Sequence, residues 1–338
     1  MDLSRRSIYT LSGGASSVCA DLMLSACTKD AFLGQEHMNK IPVLKTISYA
    51  YSFTFGQLGT VIGLIWIPLV ILGIGTYFTW AHYLNSLLSA AQTGNLANAG
   101  GAALLLLGWT ITGFLIQSVA FVGVTQQALG LRKGAAVARF SVGPPELRIF
   151  GGLLSLAALL LLFAIIVNAG GFLISMASAP LVHSTGIANA IGALAKLVLD
   201  CAMFFIVVRL GFLLVPSGVA ENRVTLTRSW ALTSGNFWRI VGVSAAVLIP
   251  LLLLAGVAEW AVLGPKAFAT APAQSTTSGT PDTAMVMRQL SLISAHLPEL
   301  VGLSLLVAPF LLGLLLSAQS FAYRSLIPVT NSGPQNGP

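Results

Sequence analysis

Six windows, at 58–78, 101–124, 149–168, 187–208, 240–263 and 301–319, are each apolar for the about 20 residues needed to cross the hydrocarbon of a bilayer. Four of them carry no charge at all; the fourth window holds Lys196 and Asp200, and the fifth holds Glu259. Hydrocarbon offers the backbone no hydrogen bonds, so segments of this kind must satisfy their own amides and fold as helices. The fold class that follows is all-α, a polytopic transmembrane bundle of six spans. Composition points the same way, because only 8% of the 338 residues are charged, where a soluble domain has about a quarter.

The basic residues give the bundle a direction. Arg5, Arg6, Lys29, Lys40 and Lys45 precede the first span, and Arg132, Lys133, Arg139 and Arg148 fall between spans two and three. Arg209, Arg223, Arg228 and Arg239 surround the link between spans four and five, and Arg324 follows the sixth. Only Lys266 and Arg288 lie on the opposite side. Basic residues are retained in the cytoplasm, so both termini of this multi-pass chain are expected there. The pI near 9.6 does not signal nucleic acid, since the positive charge is juxtamembrane and not gathered in a soluble module. Anionic lipid headgroups on the cytoplasmic face are the expected partner, each nearby basic residue contributing about 1 kcal/mol.

Metal and disulfide chemistry finds no support in the spacing. Cys19, Cys27 and Cys201 form no CxxC pair, and His37, His82, His183 and His296 form no ligand pair. No GxSxG, HExxH, P-loop or paired-carboxylate motif stands in the chain. The expectation is a protein without catalytic activity, metal or cofactor.

The stretch 209–242 organises the chain between spans. Pro216 and Ser217-Gly218 should stop the fourth span, and 221–234 alternates apolar residues with Arg223, Arg228 and threonines, as a helix lying on the membrane would. Gly235 reads as a helix C′ residue and Asn236 as the N-cap of span five. Weaker echoes precede the other odd-numbered spans. An offset of 179 lays Gly56 on Gly235, Tyr51 on Trp230, Thr54 on Thr233 and Val61 on Ile240. An offset of 91 lays Arg148 on Arg239 and Ile149 on Ile240. Each unit would be one interfacial helix plus two spans, which makes a threefold parallel repeat possible. The amphipathic element at 41–57 would open the first unit, and Gly59 and Gly63 in GxxxG spacing would permit close helix contact.

Three of these stretches, IPVLKTISYAYSFTFGQLG at 41–59, FSVGPPELRIFGG at 140–152 and PSGVAENRVTLTRSWALTSGNFWR at 216–239, resemble a group of proteobacterial six-span inner-membrane proteins. That group is similar to the membrane domain attached to some bacterial glycerophosphodiester phosphodiesterases. The resemblance covers roughly 41–328 and implies a fold; it brings no catalytic domain here and hardly any chemistry.

Two sets of residues are candidates for function. Lys196 and Asp200 are the ionisable residues well inside a span, and their i,i+4 spacing puts them on one helix face, where each can neutralise the other. Intramembrane charge is costly unless paired or wetted, so the pair is either a structural link fixing span four in the bundle or a proton or substrate site. The second set is interfacial or lipid-facing: Arg148, Arg223, Arg228 and Arg239, with Trp230 and Trp238 as aromatic anchors at headgroup level. Asn168 is expected to bond across helices. Two readings of function stay open, a membrane-organising protein or subunit of a membrane assembly, and a transporter or lipid-handling protein that uses the Lys196/Asp200 region.

Residues 1–40 are read as a leader. Ser4-Arg5-Arg6 with Leu24-Ser25-Ala26-Cys27 has the outline of a twin-arginine lipoprotein signal, but Asp21 interrupts its apolar region. The alternatives are a disordered leader or a working start at Met38. The bundle domain is 41–328 and the cytoplasmic tail 329–338.

Overall fold

The computed structural model describes residues 40–93, 97–132, 140–178, 185–264 and 283–327. The leader, the tail and the loop at 265–282 lie outside the described residues. All regular structure among the described residues is helical, in the order α1 (Val43–Gly56), α2 (Leu58–Thr93), α3 (Ala97–Ala128), α4 (Pro144–Ser178), α5 (Thr185–Gly211), α6 (Leu214–Ala220), α7 (Leu226–Thr233), α8 (Phe237–Leu263), α9 (Thr283–Ala295) and α10 (Leu297–Leu326). Six segments are long and apolar enough to cross a membrane: Leu58–Ala90, Gly100–Ala128, Pro144–Gly170, Lys196–Ala220, Phe237–Leu263 and Leu297–Leu326. The chain is an integral, multi-pass membrane protein.

Several helices outrun the apolar windows. Between the first two apolar windows, residues 79–93 and 97–100 are helical, as the end of α2 and the start of α3. At 36 residues α2 is about 54 Å long, well beyond a hydrocarbon core of roughly 30 Å. Residues 80–93 contain neither glycine nor proline to stop it, and Gly94 follows where α2 ends. On the other side Pro144 and Pro145 open α4. Proline suits the first helical turn, where its missing N–H is not needed. Glu146 is 1% exposed and its Oε2 accepts the Gly143 N–H at 3.0 Å, the reach-back half of a capping box.

The link after the fourth span differs from expectation. Helix α5 ends at Gly211, Phe212 and Leu213 form a turn, and a second short helix, α6, carries Pro216 in its first turn. Pro216 has no N–H for the Phe212 carbonyl and its ring would collide with that group, so the break falls four residues before the proline and not after it. All of α6 from Leu214 to Val219 is buried. The helix expected over 221–234 is therefore shorter, running only from Leu226 to Thr233.

The packing centre is α10, which touches α1, α2, α3, α6, α8 and α9. Its inner half is lined by small residues: Gly313, Ser317, Ala318, Ser320 and Ala322 are all buried. In a membrane such residues let backbones approach, because apolar bulk gains nothing over lipid. A Cβ on Gly313 would sit 2.8 Å from Thr54 Cγ2 of α1. Gly59 of the GxxxG pair does not have that role, since it is exposed and a Cβ there would meet nothing within 4 Å. Helix α2 instead contacts α3 at Gly75, over which the Trp109 ring lies, with Trp109 Nε1 donating to Thr76 Oγ1 at 3.2 Å.

Burial recurs across the offset of 179. Ala50 and Ser229, Thr54 and Thr233, and Val61 and Ile240 are all 0% exposed. For the offset of 91, most of the element that would precede α4 falls at 133–139, outside the described residues.

Candidate functional site

One end of the bundle gathers the arginines, and the structure engages most of them inside the protein. Glu221, just after α6, accepts two bonds from Arg228 of α7 at 3.0 Å and one at 3.2 Å. The same carboxylate accepts the Tyr323 hydroxyl of α10 at 3.0 Å. Arg148 donates to Asn222 Oδ1 at 3.2 Å; Asn222 holds φ of 55°, a left-handed turn that asparagine tolerates. Arg209 lies 4.0 Å from the Trp230 ring centroid and donates to the Trp230 carbonyl at 3.2 Å. Arg324 donates to the Ala128 carbonyl at 2.6 Å, which Tyr49 also reaches at 2.9 Å.

The start of α1 is fastened at the same end. Gly235 takes the positive φ of a C′ residue, at 73°. Asn236 occupies the N-cap position of α8 but makes no side-chain cap. Its Oδ1 accepts the Ile41 N–H at 3.2 Å, while Arg239 Nη1 donates to the Ile41 carbonyl at 2.9 Å. Ile41 is 0% exposed, so both backbone groups of a buried residue are satisfied by side chains from the start of α8, as buried backbone requires.

The interfacial set therefore divides. Arg148, Arg228 and Arg239 lock loops to helices, whereas Arg223 is exposed and Trp238, 79% exposed, projects from the bundle. Trp230 is half engaged, 39% exposed and edge-on to Phe205. Sequence reasoning missed Glu221, Asn222, Tyr323 and the double use of Asn236. The available signal was a carboxylate, Glu221, standing among arginines at a basic end. Replacing Glu221 by glutamine is expected to lower stability by about 1 kcal/mol, the scale for a partly exposed bidentate pair, read as a lower melting temperature in detergent. Arg228→Lys should cost as much, because an ammonium lacks the fork; a lysine variant as stable as the parent would contradict the clamp.

Lys196 and Asp200 do pair, with Nζ 3.2 Å from Oδ2. They do not face into the bundle. Their side chains are 67% and 54% exposed, and beside them Leu197 and Phe204 are 59% and 53% exposed. Helix α5 is held by α4 and also by α6, α7 and α8; the flank that carries Lys196, Leu197, Asp200 and Phe204 is left exposed among the described residues. Asp200 lies nine residues before Arg209, or about 13 Å along the axis, close to half the hydrocarbon thickness. A single charge at that depth costs about 2.5–3.5 kcal/mol on insertion scales, and the ion pair reduces that cost without removing it. Asn168 is likewise turned outward and bonds within its own helix, to the Ala164 carbonyl at 2.7 Å.

Three apolar crevices follow the α2–α10 seam, and none of the three is lined by Lys196 or Asp200. One, of about 380 Å³, opens between α2, α8 and α10 and includes Thr76, Glu259 and Ser304. Among the described residues no group of three or more His, Cys, Asp or Glu could hold a metal. No family model matches this chain, and no curated protein or solved structure matches it either.

Proposed function

We propose that this is a non-enzymatic protein of a bacterial inner membrane, akin to the six-span group it resembles, that serves as a subunit of a membrane assembly. The observation that carries the reading is the Lys196–Asp200 pair, displayed on the outer flank of α5 among exposed apolar residues. A charged pair left against lipid is expensive; a neighbouring helix that completes its hydrogen bonds relieves that cost. The basic end supports an orientation with both termini cytoplasmic, and exposed Arg223 and Trp238 suit contact with anionic headgroups.

Purification in mild detergent tests the assembly. The parent should travel with a stoichiometric companion, another chain or a second copy, and Lys196→Met with Asp200→Leu should travel without it. A parent that runs as a single chain overturns the reading. Orientation has its own test, a cysteine at Ser278. It should react with an impermeant reagent from outside intact cells; labelling only after permeabilisation would reverse the topology.

A second reading, lipid handling, rests on the crevice between α2, α8 and α10. It is lined mainly by apolar side chains, with Thr76, Glu259 and Ser304 among them, so it offers room for an acyl chain and polar groups for the head that chain carries. That site is separate from Lys196 and Asp200.

A further inference from the structure

We infer that the partner covering α5 is a second copy of this chain, with Lys196 and Asp200 of the two copies pairing crosswise about a twofold axis along the membrane normal. The inference rests on the assembly reading and names its partner. Lysine has three donors and a carboxylate about four acceptor positions. Within one chain Lys196 uses a single bond to one oxygen of Asp200, so most of the capacity of both groups is left over. A partner that brings an ammonium and a carboxylate of its own, one helical turn apart on an otherwise apolar helix, would use both sets of spare positions while adding no net charge. Helix α5 is itself such a helix, and its pair is electrically neutral and self-complementary.

Symmetry supports the choice. Copies inserted with the same orientation can be related by a twofold axis normal to the membrane, which places the same patch on both sides of the contact. Lys196 then lies opposite Lys196 and one turn from the second copy's Asp200. The axial part of that offset is the one turn its four-carbon stem already spans to its own Asp200. The rest is the separation of two packed helices, about 8–10 Å between axes, which the two side chains meet from both sides. Each ammonium can bridge two carboxylates, and the four groups form a closed ring without net charge. The surrounding residues on this face, Leu197, Phe204 and Val207, are exposed and apolar, so they pack against their own copies.

Charge exchange between co-expressed copies tests this. In a background with Cys19, Cys27 and Cys201 replaced by serine, Phe204→Cys should form a disulfide-linked dimer in native membranes under mild oxidation. Adding Lys196→Asp, which puts two carboxylates on the face, should abolish the dimer. Adding Asp200→Lys, which puts two ammoniums there, should abolish it too. Co-expressing these two variants should restore a crosslink between differently tagged copies. Insertion is checked by membrane yield, and the Phe204→Cys crosslink in otherwise parental chains needs no charge variant. No crosslink between parental copies, or a crosslink insensitive to the charges, overturns the inference. If no crosslink forms yet a different protein co-purifies and is lost with Lys196→Met and Asp200→Leu, the second copy is wrong while the assembly reading stands. If neither a crosslink nor a companion is found, both fall.

Discussion

Replacing Gly313 by leucine should separate α1 from α10 and lower the stability of the whole bundle more than any surface change. A Cβ there would already be 2.8 Å from Thr54 Cγ2 and 3.1 Å from Thr54 Oγ1, and three further heavy atoms have no space. Thr54 and its neighbour Ala50 are 0% exposed, and Ser317, one turn along, donates to the Gly313 carbonyl at 2.6 Å. Overpacking a tight contact costs about 1–3 kcal/mol, sometimes more. Here the cost falls on the helix that touches six others, so a drop toward the upper end is expected in a detergent melt. Gly59→Leu serves as the comparison, because a Cβ there meets nothing; equal losses for the two variants would show that α10 is not the packing centre.

The second large effect is an asymmetry between the two members of the α5 pair. Lys196→Met strands Asp200, whose short side chain cannot reach the headgroups from mid-depth. Asp200→Asn strands Lys196, whose long stem can carry the ammonium toward the interface. The first variant should therefore lose membrane integration and stability by about 2.5–3.5 kcal/mol, and the second by clearly less. Lys196→Met with Asp200→Leu leaves no charge in the hydrocarbon and should integrate at least as well as the parent, while the assembly is lost. Equal penalties for the two single variants, or none, measured by integration assay and melting, would contradict the placement of the pair.

The same physics explains which parts of this fold are visible in the residues. The six spans are, because length and hydropathy are what hydrocarbon selects. Their ends are not: residues 79–93 mix alanine and leucine, good helix formers, with polar residues that make a hydropathy window discard the stretch, although α2 runs through it. The central place of α10 is hidden for a related reason, since a lipid-facing helix and a buried one are equally apolar. Only Gly313, Ser317, Ala318 and Ala322, small residues at i,i+4 spacing, hint at it. Proline at 216 signals a break, and its position relative to that break follows from the clash with the carbonyl four residues earlier.

At the candidate site, the spacing of Lys196 and Asp200 yields their pairing but not the direction they face, because nearly every residue around them is apolar. The arginines of the basic end are visible as a group. Their separate uses are not, because Arg148, Arg228 and Arg239 find partners at 74, 7 and 198 residues' distance, and two of those pairings require the folded bundle. Asn236 keeps its N-cap position yet gives its side chain to Ile41, a competition between local and long-range bonds that no local pattern reveals.

A nitroxide attached at a cysteine replacing Leu197, read in lipid bilayers by its mobility and its relaxation by dissolved oxygen, tests the covered flank of α5 most directly. Leu197 is 59% exposed within one chain. The account predicts an immobile label shielded from oxygen in the parent, and a mobile, oxygen-accessible label once Lys196→Met and Asp200→Leu are introduced. A label equally open to oxygen in both proteins would mean that the pair faces bare lipid, and α5 would not be the contact on which an assembly is built.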